Sequence, residues 1–154
     1  MAFQKSITIL GLGLLLFAPK ANAVDRFEEM YCLAKNIYFE SRDQPYIGRL
    51  AVAQVTMNRV KSEEFPDTIC DVVTQGGERK HRCQFSWYCD GEIDIPTDQA
   101  SWDDSVYLSL LVYGGNLRFD VTEGAMWYHA TYANPDWASR LEKTVRINDH
   151  IFYK

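Results

Sequence analysis

One carboxylate occupies a position where the pattern of the chain calls for a hydrophobic residue. Phe27, Met30, Tyr31, Ala34, Ile37 and Tyr38 recur at the three- and four-residue spacing of a single helix face. The next step of that stripe falls on Glu40 and Ser41. Pro45 follows closely, so the helix is expected to end between Arg42 and Gln44. A carboxyl at such an end, among aromatics and partly out of water, is penalised in its charged form and keeps its proton toward neutral pH. It can then donate that proton, which is general-acid chemistry. Glu40 is therefore the candidate catalytic residue.

Further candidates lie in two aromatic-rich stretches. Cys83-Gln84-Phe85-Ser86-Trp87-Tyr88-Cys89 sets three aromatics between two cysteines, and Trp127-Tyr128-His129 follows later. Trp87, Tyr88, Trp127 and Tyr128 have flat faces on which a ring-shaped ligand can stack. Gln84 and Ser86 can hydrogen-bond a polar ligand. Tyr128 is also suited to orient Glu40. His129 reads more readily as a histidine satisfied within the fold than as a base.

The elements that must position these groups can be read in order. Asp25 is a natural cap for a first helix over 26–41. A second helix is predicted over 46–60. It is apolar nearly all round, which marks a central, buried helix, and its Gln54, Thr56 and Asn58 need partners. A short helix is expected over 67–74. The stretch 75–82 reads as a loop, and the Cys83–Cys89 segment as a stapled loop or short hairpin. Ser101 is expected to cap a helix whose stripe is Trp102, Val106, Leu110 and Tyr113, ended by Gly114-Gly115. The segment after Gly124 is strand-like, and 143–153 reads as a hairpin turning at Asn148-Asp149. Helices precede strands, so the class is α+β, mostly helical, with a small β-hairpin region.

Composition narrows the function further. Lys5 precedes an apolar run from Ile7 to Ala18, and Ala21-Asn22-Ala23 has the small-x-small form of a cleavage site. Residues 1–23 thus read as a signal peptide and 24–154 as one exported domain, bound for the periplasm or cell envelope. The net charge of −5 argues against nucleic-acid binding. Four cysteines (Cys32, Cys70, Cys83, Cys89) in an exported chain suggest two disulfides. Of the three possible pairings, Cys83–Cys89 closes a short loop and Cys32–Cys70 ties the first helix to the segment after the second; this pairing is favoured. A zinc site from His81, Cys83 and Cys89 matches no standard spacing. His81, His129 and His150 are scattered, with no H-E-x-x-H run. No metal and no cofactor are expected.

Several ordered motifs then carry a resemblance. Asn36-Ile37-Tyr38-Phe39-Glu40-Ser41-Arg42, Gly48 to Val55, Asn58 to Ser62, Phe65 to Cys70, Gln84-Phe85-Ser86, and Trp127-Tyr128-His129 with Asn134-Pro135 and Trp137 resemble the SleB-type cell wall hydrolases, the spore cortex-lytic enzyme family. The resemblance implies a lysozyme-related fold and a peptidoglycan glycan strand as substrate. It also implies a glutamate, here Glu40, acting between N-acetylmuramic acid and N-acetylglucosamine. Gln84, Phe85, Ser86, Trp87, Tyr128 and His129 become the expected substrate-binding set. Ser41 and Arg42-Asp43-Gln44 depart from the family's small residue and glycine-rich turn, which bears on substrate preference. Glycosidases usually pair two carboxylates, yet Asp43, Glu63, Glu64 and Asp67 lie on no stripe converging with Glu40. A lytic transglycosylase needs one such group. The rival readings are a peptidoglycan amidase or peptidase and a non-catalytic glycan-binding envelope protein; a monomer is expected in each case.

Overall fold

The computed structural model describes residues 23–80, 82–117 and 119–154. The predicted signal peptide, apart from Ala23, lies outside the described residues, as does His81. Among those described, no helix is long and apolar enough to cross a membrane. Four helices come first: α1 (Ala23–Ser41), α2 (Tyr46–Val60), α3 (Ile69–Thr74) and α4 (Gln99–Tyr113). Three strands follow: β1 (Trp127–Ala130), β2 (Lys143–Ile147) and β3 (His150–Tyr153). The chain is α+β and mostly helical, as the order of patterns predicts.

The second helix is the centre of the molecule. Its apolar residues point all round because two layers need them. Leu50 and Ala53 join Leu33, Ile37, Ile69, Val72, Phe85 and Leu108 in the core between the helices. Ala51 and Val55 pack on the other side against Ala125 and Phe152, beneath the sheet. Its polar residues are clamps. Gln54 donates to the carbonyl of Phe119 (2.8 Å) and accepts from the amide of Val121 (2.9 Å). Asn58 donates to Asp120 (2.8 Å) and to the carbonyl of Ala125 (3.0 Å). These bonds satisfy buried groups that would otherwise cost free energy. They also fix the segment that delivers β1.

The sheet is antiparallel in the order β1-β3-β2. Asn148, with φ of 49°, makes the left-handed step of the β2–β3 turn, a conformation asparagine tolerates. Tyr128 lies opposite Phe152 and Ala130 opposite His150, while Trp127 and His129 lie opposite Tyr153 and Ile151. Strand alternation therefore sends Tyr128 inward with Phe152, and Trp127 and His129 to the other face.

Three expectations need correction. The first helix begins at Ala23, so Asp25 lies in its first turn, where a negative charge suits the positive end of the helix, and does not cap it. The cap of α4 is Asp98, whose carboxylate accepts from the amide of Ser101 (2.7 Å). Along α4 the deeply buried residues are Ser105, Leu108 and Ser109, whereas Leu110 is 46% exposed. Of the expected stripe, Trp102 packs on Tyr31 and Tyr38 of α1, at 5.6 and 6.2 Å between ring centroids. Of the two forms expected for the Cys83–Cys89 segment, the stapled loop is the one found, ending in a 3-10 turn over Ser86–Cys89.

Both favoured disulfides form, Cys32–Cys70 and Cys83–Cys89. Beside the first, the Glu29 carboxylate of α1 accepts the amide protons of Ile69 and Cys70 at the start of α3. Helix α3 is thus joined to α1 both covalently and by a charge-assisted cap.

Candidate active site

Glu40 is the penultimate residue of α1, half-buried where the helix end meets β1. The phenol of Tyr128 donates a 2.8 Å hydrogen bond to its Oε2. The two residues are separated by 88 positions in sequence. The Tyr128 ring is steadied by His150 (5.2 Å between centroids) and Phe152 (5.6 Å). Behind this pair stands Arg59 of α2, 4% exposed. Its Nε donates to the carbonyl of Met126 (2.7 Å), and its guanidinium lies between the rings of Phe65 (5.2 Å) and Phe85 (5.0 Å).

These surroundings decide the protonation of the site. Burial raises the pKa of Glu40, and the Tyr128 hydrogen bond and the Arg59 charge oppose that rise without cancelling it. Burial and the neighbouring carboxylate push the Tyr128 phenol well above its usual range, so it remains a donor. No other carboxylate among the described residues perturbs Glu40. Asp43, Glu63, Glu64 and Asp67 are all exposed. The arrangement is a single proton donor whose conjugate base is met by a phenol and a buried cation.

The expected substrate-binding residues divide. Gln84 and Ser86 are exposed, and neither side chain has a hydrogen-bond partner among the described residues. Phe85 and Trp87 are not available as sugar platforms: they are only 2% and 7% exposed and belong to the core. Trp87 stacks on Phe39 (4.8 Å) and its indole N–H donates to Asn36 (3.0 Å). Asn36, fully buried, in turn donates to Thr56 of α2 (3.0 Å). These contacts hold the loop that carries Gln84 and Ser86 against α1 and α2. His129 is also occupied. Its Nδ1 lies 2.9 Å from the carbonyl of Ala130, which can only accept, so Nδ1 carries the proton and Nε2 accepts from the Tyr153 hydroxyl (2.9 Å). His129 braces the outer face of the sheet and does not meet Glu40. Tyr128 alone of the second stretch reaches the acid.

Zinc binding by Cys83 and Cys89 is ruled out by their disulfide, and His81 lies outside the described residues. Among those described, no group of three potential metal-ligating side chains is assembled.

Sequence reasoning missed Arg59, although a signal was present. It follows Val52 by seven positions and Val55 by four, so it is a charge on the buried stripe of the central helix. It also missed a cleft of about 400 Å³ walled by Gln84, Trp127, Trp137, Arg140 and Leu141. That cleft opens on the outer face of the sheet, where Trp137 packs on His129 and Tyr153. Trp127 packs on Phe65 (5.7 Å), and Phe65 in turn lies against the Arg59 guanidinium.

Comparison with known proteins gives the family and the fold. The cell wall hydrolase family model matches residues 43–153, a span that opens just after Glu40. The spore cortex-lytic enzyme of Bacillus cereus is 29% identical over 131 residues, covering 82% of this chain and 44% of that enzyme. The spore cortex-lytic enzyme of Halalkalibacterium halodurans is 30% identical over 129 residues, covering 80% of this chain and 34% of that enzyme. The chain thus spans less than half the length of the curated relatives it matches. The crystal structure of the catalytic domain of Bacillus cereus SleB superimposes with a TM-score of 0.64 at 26% identity, covering 94% of this chain and all of that domain. The catalytic domain of SleB from Bacillus anthracis, described as a germination-specific lytic transglycosylase, gives 0.65 at 27% identity, with 89% of this chain covered and all of that domain. With a family model matched over residues 43–153, the chain belongs to the cell wall hydrolase family.

Proposed function

We propose that this protein is an exported lytic transglycosylase that cleaves peptidoglycan between N-acetylmuramic acid and N-acetylglucosamine, with Glu40 as acid and then base. The observation that carries the reading is a half-buried carboxyl, inclined to hold its proton, with a phenol donating to it and no second carboxylate perturbing it. The description of the Bacillus anthracis relative as a lytic transglycosylase supports the same choice. The apolar run near the N-terminus and the two disulfides support export.

The chemistry follows from one group used twice. Protonated Glu40 gives its hydrogen to the glycosidic oxygen as the bond to the anomeric carbon breaks. The new carboxylate is held by the Tyr128 hydroxyl and by the field of Arg59, both in place beforehand, so little reorganisation is needed. Glu40 then takes the proton of the muramic acid 6-hydroxyl, whose oxygen closes on the anomeric carbon. The product is a 1,6-anhydro sugar, no water is consumed, and Glu40 ends protonated. In this reading Gln84 and Ser86, both exposed, hydrogen-bond the strand.

The test is Glu40→Gln, with released muropeptides read by mass spectrometry. The parent should give anhydro ends, and the variant should lose activity by orders of magnitude while still binding glycan. Equal lysis by both proteins would refute the catalytic role. Reducing ends from the parent would replace ring closure with hydrolysis. Released peptides with intact glycan would favour an amidase or peptidase, and binding without cleavage by the parent a glycan-binding protein.

A further inference from the structure

One ring that steadies Tyr128 belongs to a titratable residue that the cleavage steps do not use. His150 opens β3 and is only 9% exposed. Its imidazole stands nearly perpendicular to the Tyr128 ring, at 85° and 5.2 Å between centroids, with Phe152 at 6.3 Å. The Nδ1 atom of His150 is buried and has no hydrogen-bond partner among the described residues. The charges that act on the ring come from three elements. They are Asp43 in the linker after α1, Asp149 in the β2–β3 turn, and His129 on β1. Burial outweighs the two carboxylates, so the ring stays neutral to lower pH than an ordinary histidine. The same corner holds a second unpartnered atom. Gln44 is buried and its Nε2 donates to Asp149 (3.4 Å), the residue before His150. The Oε1 of Gln44 is buried with no donor to accept from.

We propose that His150 is a proton-operated brace: neutral, it holds the Tyr128 phenol on Glu40, and protonated, it turns toward Gln44, Asp149 and Asp43 and lets the phenol go. A neutral imidazole can rest among the Tyr128 and Phe152 rings with Nδ1 unpaired. A charged one carries two N–H donors, and an unpaired charged donor is costly out of water. The acceptors it needs are the free Oε1 of Gln44 and the two carboxylates. The ring thus has one resting place for each protonation state, and pH sets their populations. His150 is a positioning residue, since it acts on the acid only through Tyr128. The inference rests on the reading of Glu40 and Tyr128 as the cleaving pair. It adds an acid limit that the cleavage chemistry lacks. Protonated Glu40 is the form that cleaves, so the chemistry alone predicts loss on the alkaline side only.

The test is initial-rate release of soluble muropeptides across a pH series, with thermal melts at each pH to show that the protein is folded. The parent should lose kcat below a midpoint lying under the ordinary histidine value of 6.5. The loss should be about tenfold per pH unit and level off near the activity of Tyr128→Phe. His150→Ala should lower kcat about two- to tenfold at neutral pH, the scale of one aromatic contact, with KM unchanged and no acid limb. His150→Phe supplies a ring that takes no proton, so it should recover most of that loss and still show no acid limb. NMR of the Glu40→Gln protein needs no substitution at His150 and no turnover: the Tyr128 ring signals should follow the His150 titration with the same midpoint. A parent without an acid limb, an acid limb that survives in His150→Phe, or Tyr128 signals that stay fixed while His150 titrates overturns the inference. If Glu40→Gln cuts the wall as well as the parent, the cleaving pair is misassigned. If Glu40→Gln is inert and the acid limb survives in His150→Phe, the brace alone fails.

Discussion

Replacing Tyr128 by phenylalanine removes one oxygen from the site and little else. The ring stays packed between His150 and Phe152, and the 2.8 Å hydrogen bond to Glu40 is lost. A hydrogen bond to a charged group contributes about 1.5–3 kcal/mol. Only the part that strengthens as the carboxylate forms counts toward rate. At about 1.4 kcal/mol per factor of ten, kcat should fall roughly 10- to 100-fold. The pH profile should move too, and its direction is fixed by the structure. The Tyr128 bond lowers the pKa of Glu40 against the larger effect of burial. Without it Glu40 holds its proton to higher pH, so the alkaline loss of activity shifts upward even as the plateau drops. The assay is initial-rate release of soluble muropeptides across a pH series, with thermal melts to confirm folding. A folded variant with kcat within twofold of the parent and an unmoved alkaline limb would refute the acid–base role given to this pair.

Two further outcomes follow from the same contacts. Because burial raises the pKa of Glu40, its protonated form favours the folded state below the ordinary value of 4.5, and this contribution is lost as pH rises through the raised value. Glu40→Gln should therefore melt higher than the parent at neutral pH, with the gap closing as pH falls below 4.5; a gap that is constant with pH would contradict this. Asn36→Leu should cost about 1–3 kcal/mol in urea unfolding by orphaning the buried Trp87 indole N–H. It should also raise KM more than it lowers kcat, because it frees the loop bearing Gln84 and Ser86; a variant as stable as the parent would show that this bond does not fix the loop.

The position of Glu40 at the edge of the core was legible because helix periodicity is a local property, and a polar residue in phase with a buried stripe stands out. The limits of α2 were legible for the same reason: Pro45 before it and the break after Val60 frame an apolar run. The partnership of Glu40 with Tyr128 was only one option among several, since strand register is set by pairing with β3, far along the chain. Phe85 and Trp87 misled because an aromatic suited to a sugar is equally suited to a core. Only the contacts to Asn36, Phe39 and Arg59 decide between the two. Arg140 and Trp137 were invisible as a pair, because the turn that sets them over the outer face of the sheet has no periodicity.

The distance along the chain between the acid and its phenol has a consequence for biosynthesis. The carboxyl is translated early and Tyr128 late, and Arg59 lacks its Met126 carbonyl until the same final stretch is in place. A nascent or truncated polypeptide ending before β1 would carry the acid without the groups that stabilise its conjugate base. Fraying of the C-terminal strands in the finished protein would undo the same assembly. Under the proposed mechanism cutting requires β1 in place, and a fragment ending before it should be inert toward the wall.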